Sequence, residues 1–196
     1  MEFQYAGFGK RFISALVDGL LFLPLLGLYF WLAPQSRVAA FLLIPLNFLS
    51  YSIYSIYFHA RYGQTLGKMA AGIRVLKTDG QPIGFREALL RSSVELGLGV
   101  LTCAGNLVAI AAISDDVYSR LSSNPFFQRT YAIEERIPTW GRWAGNLSVY
   151  WSWSELIVLL FNRKRRALHD FIAGTIVVVD NKPQMERLTD AHRAPP

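Results

Sequence analysis

The stretch FISALVDGLLFLPLLGLYFWL, running from Phe12 to Leu32, decides the fold. It is almost wholly apolar and long enough to cross a bilayer, which takes about 20 helical residues. It is not a cleavable signal peptide. It is too long, has no small-residue cleavage site, and after Pro34 the chain turns into another apolar run. That second run is Val38 to Phe58, VAAFLLIPLNFLSYSIYSIYF. A third, SSVELGLGVLTCAGNLVAIAAI, covers Ser92 to Ile113, and a fourth, AGNLSVYWSWSELIVLLF, covers Ala144 to Phe161. The fourth is the shortest and the most polar. The composition agrees with four spans. Of 196 residues, 52% are hydrophobic and 17% charged, with mean hydropathy +0.26. A soluble domain carries about 25% charged residues. The balance excludes a disordered chain and argues against an ordinary soluble enzyme.

The net charge of +6 is distributed by side. With the N-terminus inside, the inner segments hold 15 of the 20 basic residues. The outer segments hold Arg37, Arg120, Arg129, Arg136 and Arg142. Cytoplasmic loops collect Lys and Arg, so both termini are expected in the cytoplasm. Trp31, Trp140 and Trp143 fall at the outer ends of spans, as an aromatic belt would place them. The run Arg163, Lys164, Arg165, Arg166 then reads as a stop-transfer element that binds anionic lipid headgroups. No aromatic platform or nucleic-acid motif accompanies it, so no nucleic-acid partner is expected.

Between spans two and three the inner segment has structure of its own. Leu66, Met69, Ala70 and Ile73 repeat at helical spacing, with Thr65 as the cap, and predict a short amphipathic helix on the inner surface. Asp79-Gly80 after IRVLK predicts a tight turn, with Pro82 restricting the second arm to an edge. Residues 175–180, TIVVVD, read as another strand, so two or three short strands are expected to pair beneath the membrane. The expectation is one domain over residues 1–180, an outer loop at 114–142, and a frayed tail at 181–196.

Three acids lie within the spans: Asp18, Glu95 and Glu155. Their positions put all three within roughly 5–10 Å of the inner boundary. Each span also gathers its polar groups on one stripe, including Arg11, Ser14 and Asp18 on the first, Asn47 and Tyr54 on the second, Arg91, Glu95 and Asn106 on the third, and Ser148, Ser152 and Glu155 on the fourth. Two readings stay open. Asp18, Glu95, Glu155, Asn47, Asn106 and Arg91 line a cytoplasmic-side cavity for a cation or proton. Alternatively they are interhelical glue, with Arg11–Asp18 and Arg91–Glu95 as pairs.

Other chemistry is thin. His169-Asp170 could orient an imidazole, but no nucleophile motif goes with it, and Asp170 fits better as a helix cap or the partner of an arginine. His59 and His192 stand alone, and are expected to be interfacial or solvated. Cys103 is the sole cysteine, which excludes an intramolecular disulfide and a cysteine zinc cluster. Gly63-Gln-Thr-Leu-Gly67-Lys68 has the wrong spacing for a phosphate loop. No metal, cofactor or catalytic residue is expected.

Three separated blocks resemble the RDD family of bacterial membrane proteins, named for one arginine and two aspartates. They are FGKRFISALVDGLL, with Arg11 and Asp18; YGQTLGKMAAGIRVLKTDGQPIGFREALLR, with Gly63, Gln64, Thr65, Gly67, Lys68, Asp79, Gly80 and Arg91; and RRALHDFIAGTIVV, with Asp170 as the second aspartate. The resemblance implies a multi-pass protein of the bacterial inner membrane and a transport role, cation/proton antiport being proposed for some members. Against it stands a scaffold or regulatory subunit of a larger complex. No internal inverted repeat is visible, and four spans are few for a transporter, so a homo-oligomer or a partner membrane protein is expected. The fold expected is an all-α membrane protein: four transmembrane helices in a bundle, a short amphipathic helix and a small cytoplasmic β element.

Overall fold

A computed structural model describes residues 3–122 and 132–180. The elements among these residues are α1 (Phe8–Leu32), a 3-10 turn (Ala33–Gln35), α2 (Arg37–Tyr62), α3 (Leu66–Ala70), β1 (Ile73–Lys77), α4 (Phe85–Ala111), α5 (Asp115–Ser122), α6 (Thr139–Phe161), α7 (Leu168–Ile172) and β2 (Thr175–Val179). The expected tail, with Lys182, Arg187, His192 and Arg193, lies outside the described residues, as does Arg129 in the expected outer loop.

Among the described residues, three helical stretches are long and apolar enough to cross a membrane: Phe8–Gln35, Arg37–Tyr62 and Phe85–Ala111. Their burial is inverted relative to a soluble helix. In α1 the buried residues are Ser14 and Asp18, while Phe12, Ile13, Leu16 and Leu20 are more than half exposed. Apolar side chains face outward and polar ones inward, the arrangement that lipid requires. The fourth expected span does form a helix, α6, long enough at 23 residues, but by composition it falls short of a membrane span. Its 23 residues include Arg142, Asn146, Ser148, Ser152, Ser154 and Glu155, and these polar groups dilute its apolar content.

The chain clusters into two compact units. Among the described residues, the first joins 3–21, 54–93 and 153–180, and the second joins 22–53, 94–122 and 132–152. In the first, β1 and β2 form a two-stranded antiparallel sheet, with Val75 opposite Val177 at its centre. Val75, Val177 and Ile73 pack with Ala6 and Ile83 in one fully buried cluster. Leu76, Ile176 and Val178 form another, against Phe3 and Tyr5. Two apolar clusters drawn from alternate strand positions explain the β-branched run TIVVV, buried nearly throughout. The turn at Asp79-Gly80 forms, with Gly80 at φ +89°, but its second arm contributes only the bridge from Pro82 to Leu76. The strand that pairs with β1 is instead β2, far along the chain.

The helix predicted from Leu66, Met69, Ala70 and Ile73 ends earlier than its spacing implied. Thr65 caps it by accepting a hydrogen bond from the Lys68 amide, but Ile73 belongs to β1. The cause is Gly72, whose φ of +62° turns the chain out of the helix. The same construction recurs at α7. Extended caps at Thr65 and Ala167 precede five-residue helices, which end at Ala71 and Ala173 with matching dihedrals. Gly72 and Gly174 follow at φ +62° and +64°, and each leads straight into a five-residue strand. Val75 and Val177 hold the middle place in their strands and face each other. The two helix–glycine–strand elements are thus related by a local two-fold axis through that pair.

In the second unit, Tyr118 on α5 donates its hydroxyl to the Ala33 carbonyl at 2.6 Å. Arg37 pairs with Asp115 at 2.8 Å and donates to the Ile113 carbonyl. These bonds fasten the α1–α2 turn to the segment after α4. Gly105 of α4 and Gly141 of α6 meet backbone to backbone; a Cβ on either would stand 2.9 Å from the other's Cα.

Candidate functional site

Asp18 is 3% exposed and is held by three neutral donors. The Tyr54 hydroxyl and the Gly67 amide both donate to Oδ1 at 2.7 Å, and the Thr65 hydroxyl donates to Oδ2 at 2.6 Å. The Tyr54 oxygen in turn accepts from the Leu66 amide at 2.9 Å. The carboxylate therefore sits on the first turn of α3, where otherwise unpaired amides point outward. Gly67 makes this approach possible, because a Cβ there would collide with the Ser14 carbonyl and the Asp18 carboxyl. Gln64 anchors the other side of the motif, bonding the Ile73 carbonyl at 3.0 Å and Asp180 at 2.7 Å, and Arg74 pairs with that same Asp180 carboxylate at 3.2 Å.

Asp170 is fully buried and takes two arginines. Arg11 reaches Oδ2 at 2.9 Å, and Arg91 reaches Oδ1. The Ala167 amide donates to Oδ2 at 3.0 Å, so Asp170 also caps α7, and Thr175 donates to Oδ1 at 3.2 Å. Burial by itself would raise the Asp170 pKa, but the charges of Arg91 and Arg11 and the Ala167 amide hold it well below the usual carboxylate range. Arg11 also donates to the Arg165 carbonyl at 2.6 Å, and Arg165 sits at φ +50°, a region that costs a non-glycine residue energy.

Arg91 extends the cluster. Its Nη1 bonds Thr175 at 2.7 Å, and its Nη2 approaches Nε2 of His169 at 2.9 Å. An arginine N–H can only donate, so Nε2 accepts and Nδ1 carries the imidazole proton. That proton points at Glu155 Oε1, 2.5 Å away, which also accepts the His169 amide at 3.2 Å. Both ring nitrogens are thereby engaged in hydrogen bonds. The Glu155 and His169 side chains keep 15% and 18% exposure, whereas Asp170 has none. Glu155 and Asp18 play matching parts in the two related elements, each accepting the amide one residue into its short helix.

The structure thus sorts the candidates differently from their spacing. Arg11 pairs with Asp170 and not with Asp18, and Arg91 commits its guanidinium to Asp170, Thr175 and His169. Among the described residues, Asp18 and Glu155 share no hydrogen-bond partner. Asn47 and Asn106 donate back to the Leu43 and Thr102 carbonyls of their own helices at 2.9 and 2.8 Å, as does Ser148 to Ala144. Polar residues that satisfy themselves this way produce a stripe without an interhelical network. His59, expected at an interface, is buried within α2, with Nδ1 at the Ser55 carbonyl. In the basic run, Arg163 and Lys164 are exposed, while Arg166 turns inward, donating to the Asp170 carbonyl at 2.8 Å and lying over the Phe171 ring. Thr175 escaped the sequence reading, since a threonine opening a strand looks only like β propensity.

Lys68, on α3, lies near both clusters. Burial and the Arg91 charge lower its pKa to about 8, against the opposing pull of Asp18.

The RDD family model matches residues 5–174, a span that contains Arg11, Asp18 and Asp170. No curated protein and no solved structure matches the chain.

Proposed function

The chain belongs to the RDD family, and on that premise we propose that it is a multi-pass transport protein of the bacterial inner membrane. Its cargo is a cation, exchanged against protons, or a small ligand. Glu155 and His169 are the proton-exchanging pair. The observation that carries this reading is the contrast in accessibility and counter-charge between the acids. Asp170 is sealed between two arginines, and Asp18 is saturated by three fixed donors. Of these, Glu155 keeps contact with the surroundings while accepting a hydrogen bond from an imidazole. A proton taken up by Glu155 would weaken its acceptance of both the His169 Nδ1–H and the His169 amide. Arg91 occupies Nε2, so the ring cannot simply change tautomer in response. Protonation would therefore release the first turn of α7, which gives a proton a mechanical consequence.

In this reading α6 is the fourth span, both termini are cytoplasmic, and Arg163 and Lys164 meet anionic headgroups. A homo-oligomer or a partner membrane protein completes the pathway, and no catalytic step is assigned. A second reading has its own support. The double arginine clamp on Asp170 is a closed structure whose carboxylate is fully countered, which suits a non-transporting scaffold or regulatory subunit.

Proteoliposomes containing only this chain separate the two. Transport predicts proton flux driven by a cation gradient or by a panel of small solutes, lost in Glu155→Gln. Vesicles that behave like empty ones, with the protein folded, would leave the scaffold reading.

A further inference from the structure

A second site lies in the other unit, where the second half of α4 meets the beginning of α6. There the structure holds a cavity of about 460 Å³. It is created by glycines. Gly105 and Gly141 bring the two helices into backbone contact, and one turn further on Gly145 leaves room beside Thr102, whose methyl would be 4.0 Å from a Cβ at that position. The cavity opens beyond this crossing, with the Tyr29 and Phe30 rings, Ile137 and Val149 as its apolar walls. Its size is that of small-molecule sites, which run from roughly 300 to 1,000 Å³.

The polar groups in the lining are few and of opposite character. Asn106 spends one of its two amide N–H groups on the Thr102 carbonyl, which leaves Oδ1 and the other N–H for a ligand. Asn146, on α6, supplies both a donor and an acceptor. Glu134 and Arg142 stand exposed at the rim, and among the described residues they form no ion pair with each other. A cation and an anion that border one small cavity without neutralising each other match a ligand bearing both charges. The apolar walls match an uncharged body between or beside them.

We propose that this cavity binds a small zwitterion of the amino-acid type, its carboxylate at Arg142, its ammonium at Glu134 and Asn106, and an apolar side chain against Tyr29 and Val149. The site is separate from the Glu155–His169 pair, and its occupancy is a matter of binding, whether or not the chain transports.

The test is calorimetric titration of the full chain in detergent with glycine, L-leucine, L-phenylalanine and glycine betaine. Isovalerate and isoamylamine serve as single-charge analogues of leucine. At least one zwitterion is expected to bind saturably, with leucine or phenylalanine ahead of glycine, and both single-charge analogues at least tenfold weaker. Arg142→Gln and Glu134→Gln lie on the surface and leave the core intact; each is expected to weaken binding at least tenfold. Gly145→Leu fills the cavity and should abolish it. The proposal fails if no zwitterion binds, if the single-charge analogues bind equally well, or if Arg142→Gln and Glu134→Gln bind as the wild type does.

Discussion

Asp18 and Asp170 are two solutions to burying a carboxylate near lipid. Asp18 relies on neutral donors, so its replacements separate hydrogen bonding from charge. Asp18→Asn keeps an acceptor for Tyr54 and Gly67, while the Thr65 hydroxyl can rotate to accept from the new amide. It should cost about 1 kcal/mol, whereas Asp18→Leu strands three donors and should cost about 3–5 kcal/mol, as denaturant unfolding in detergent would read. Equal losses in the two variants would mean that the charge itself matters. Lys68 gives a pH signature. Its folded pKa of about 8 lies below the ordinary 10.5, so above pH 8 the unfolded chain holds more protons than the folded one. Stability should therefore rise between about pH 8 and 10.5. Lys68→Met should flatten that rise and raise the melting temperature at pH 7. For Asp170 the sign is opposite. Its depressed pKa contributes stability above the usual carboxylate range, and this is lost only as acid protonates the unfolded chain, below about pH 4.

At the scale of elements, the duplicated helix–glycine–strand unit explains why glycine is needed at some places and not at others. Gly72 and Gly174 serve the same turn at positive φ, and nothing lies within 4 Å of a Cβ at either. Gly72→Ala and Gly174→Ala should each cost about 1 kcal/mol, the conformational penalty alone. Gly67→Ala should be far worse, because backbone has to move. The Asp18 bonds would open, and folded protein recovered in detergent should fall sharply. Comparing unfolding midpoints for the three variants checks the ranking. The long helices were legible because apolar runs need no partner to be recognised. The boundary between α3 and β1 was misread because Ile73 fits the helical spacing as well as it fits a strand.

For the whole molecule, the charge bias and the apolar runs predict a topology that a reporter active on one side of a membrane can check. Fused after Pro196 it should report the cytoplasm, and inserted after Glu135 the exterior. The reverse result at either place would overturn the arrangement, and with it α6 as the fourth span. Duplication is visible only at this scale. Between α3 and α7 the shared letters are few, chiefly a leucine and an Ala-Gly step, and the likeness lies in dihedrals and in the pairing of the strands.

Apolar run lengths, charge asymmetry and three motif blocks made the membrane character and the family readable from sequence alone, since each is a property of neighbouring residues. Tertiary structure decided which charges meet. Arg11 and Asp170 are 159 residues apart, and Arg91 and Asp170 are 79 apart. Helical periodicity compares residues three or four places away, so it offered Asp18 to Arg11 and Glu95 to Arg91. It also treated Asn47 and Asn106 as parts of a network, when each bonds a carbonyl one turn back in its own helix. A buried carboxylate takes whichever fixed donors the fold brings to it, and the fold brings them through the pairing of β1 with β2, a contact between chain segments that no local pattern encodes.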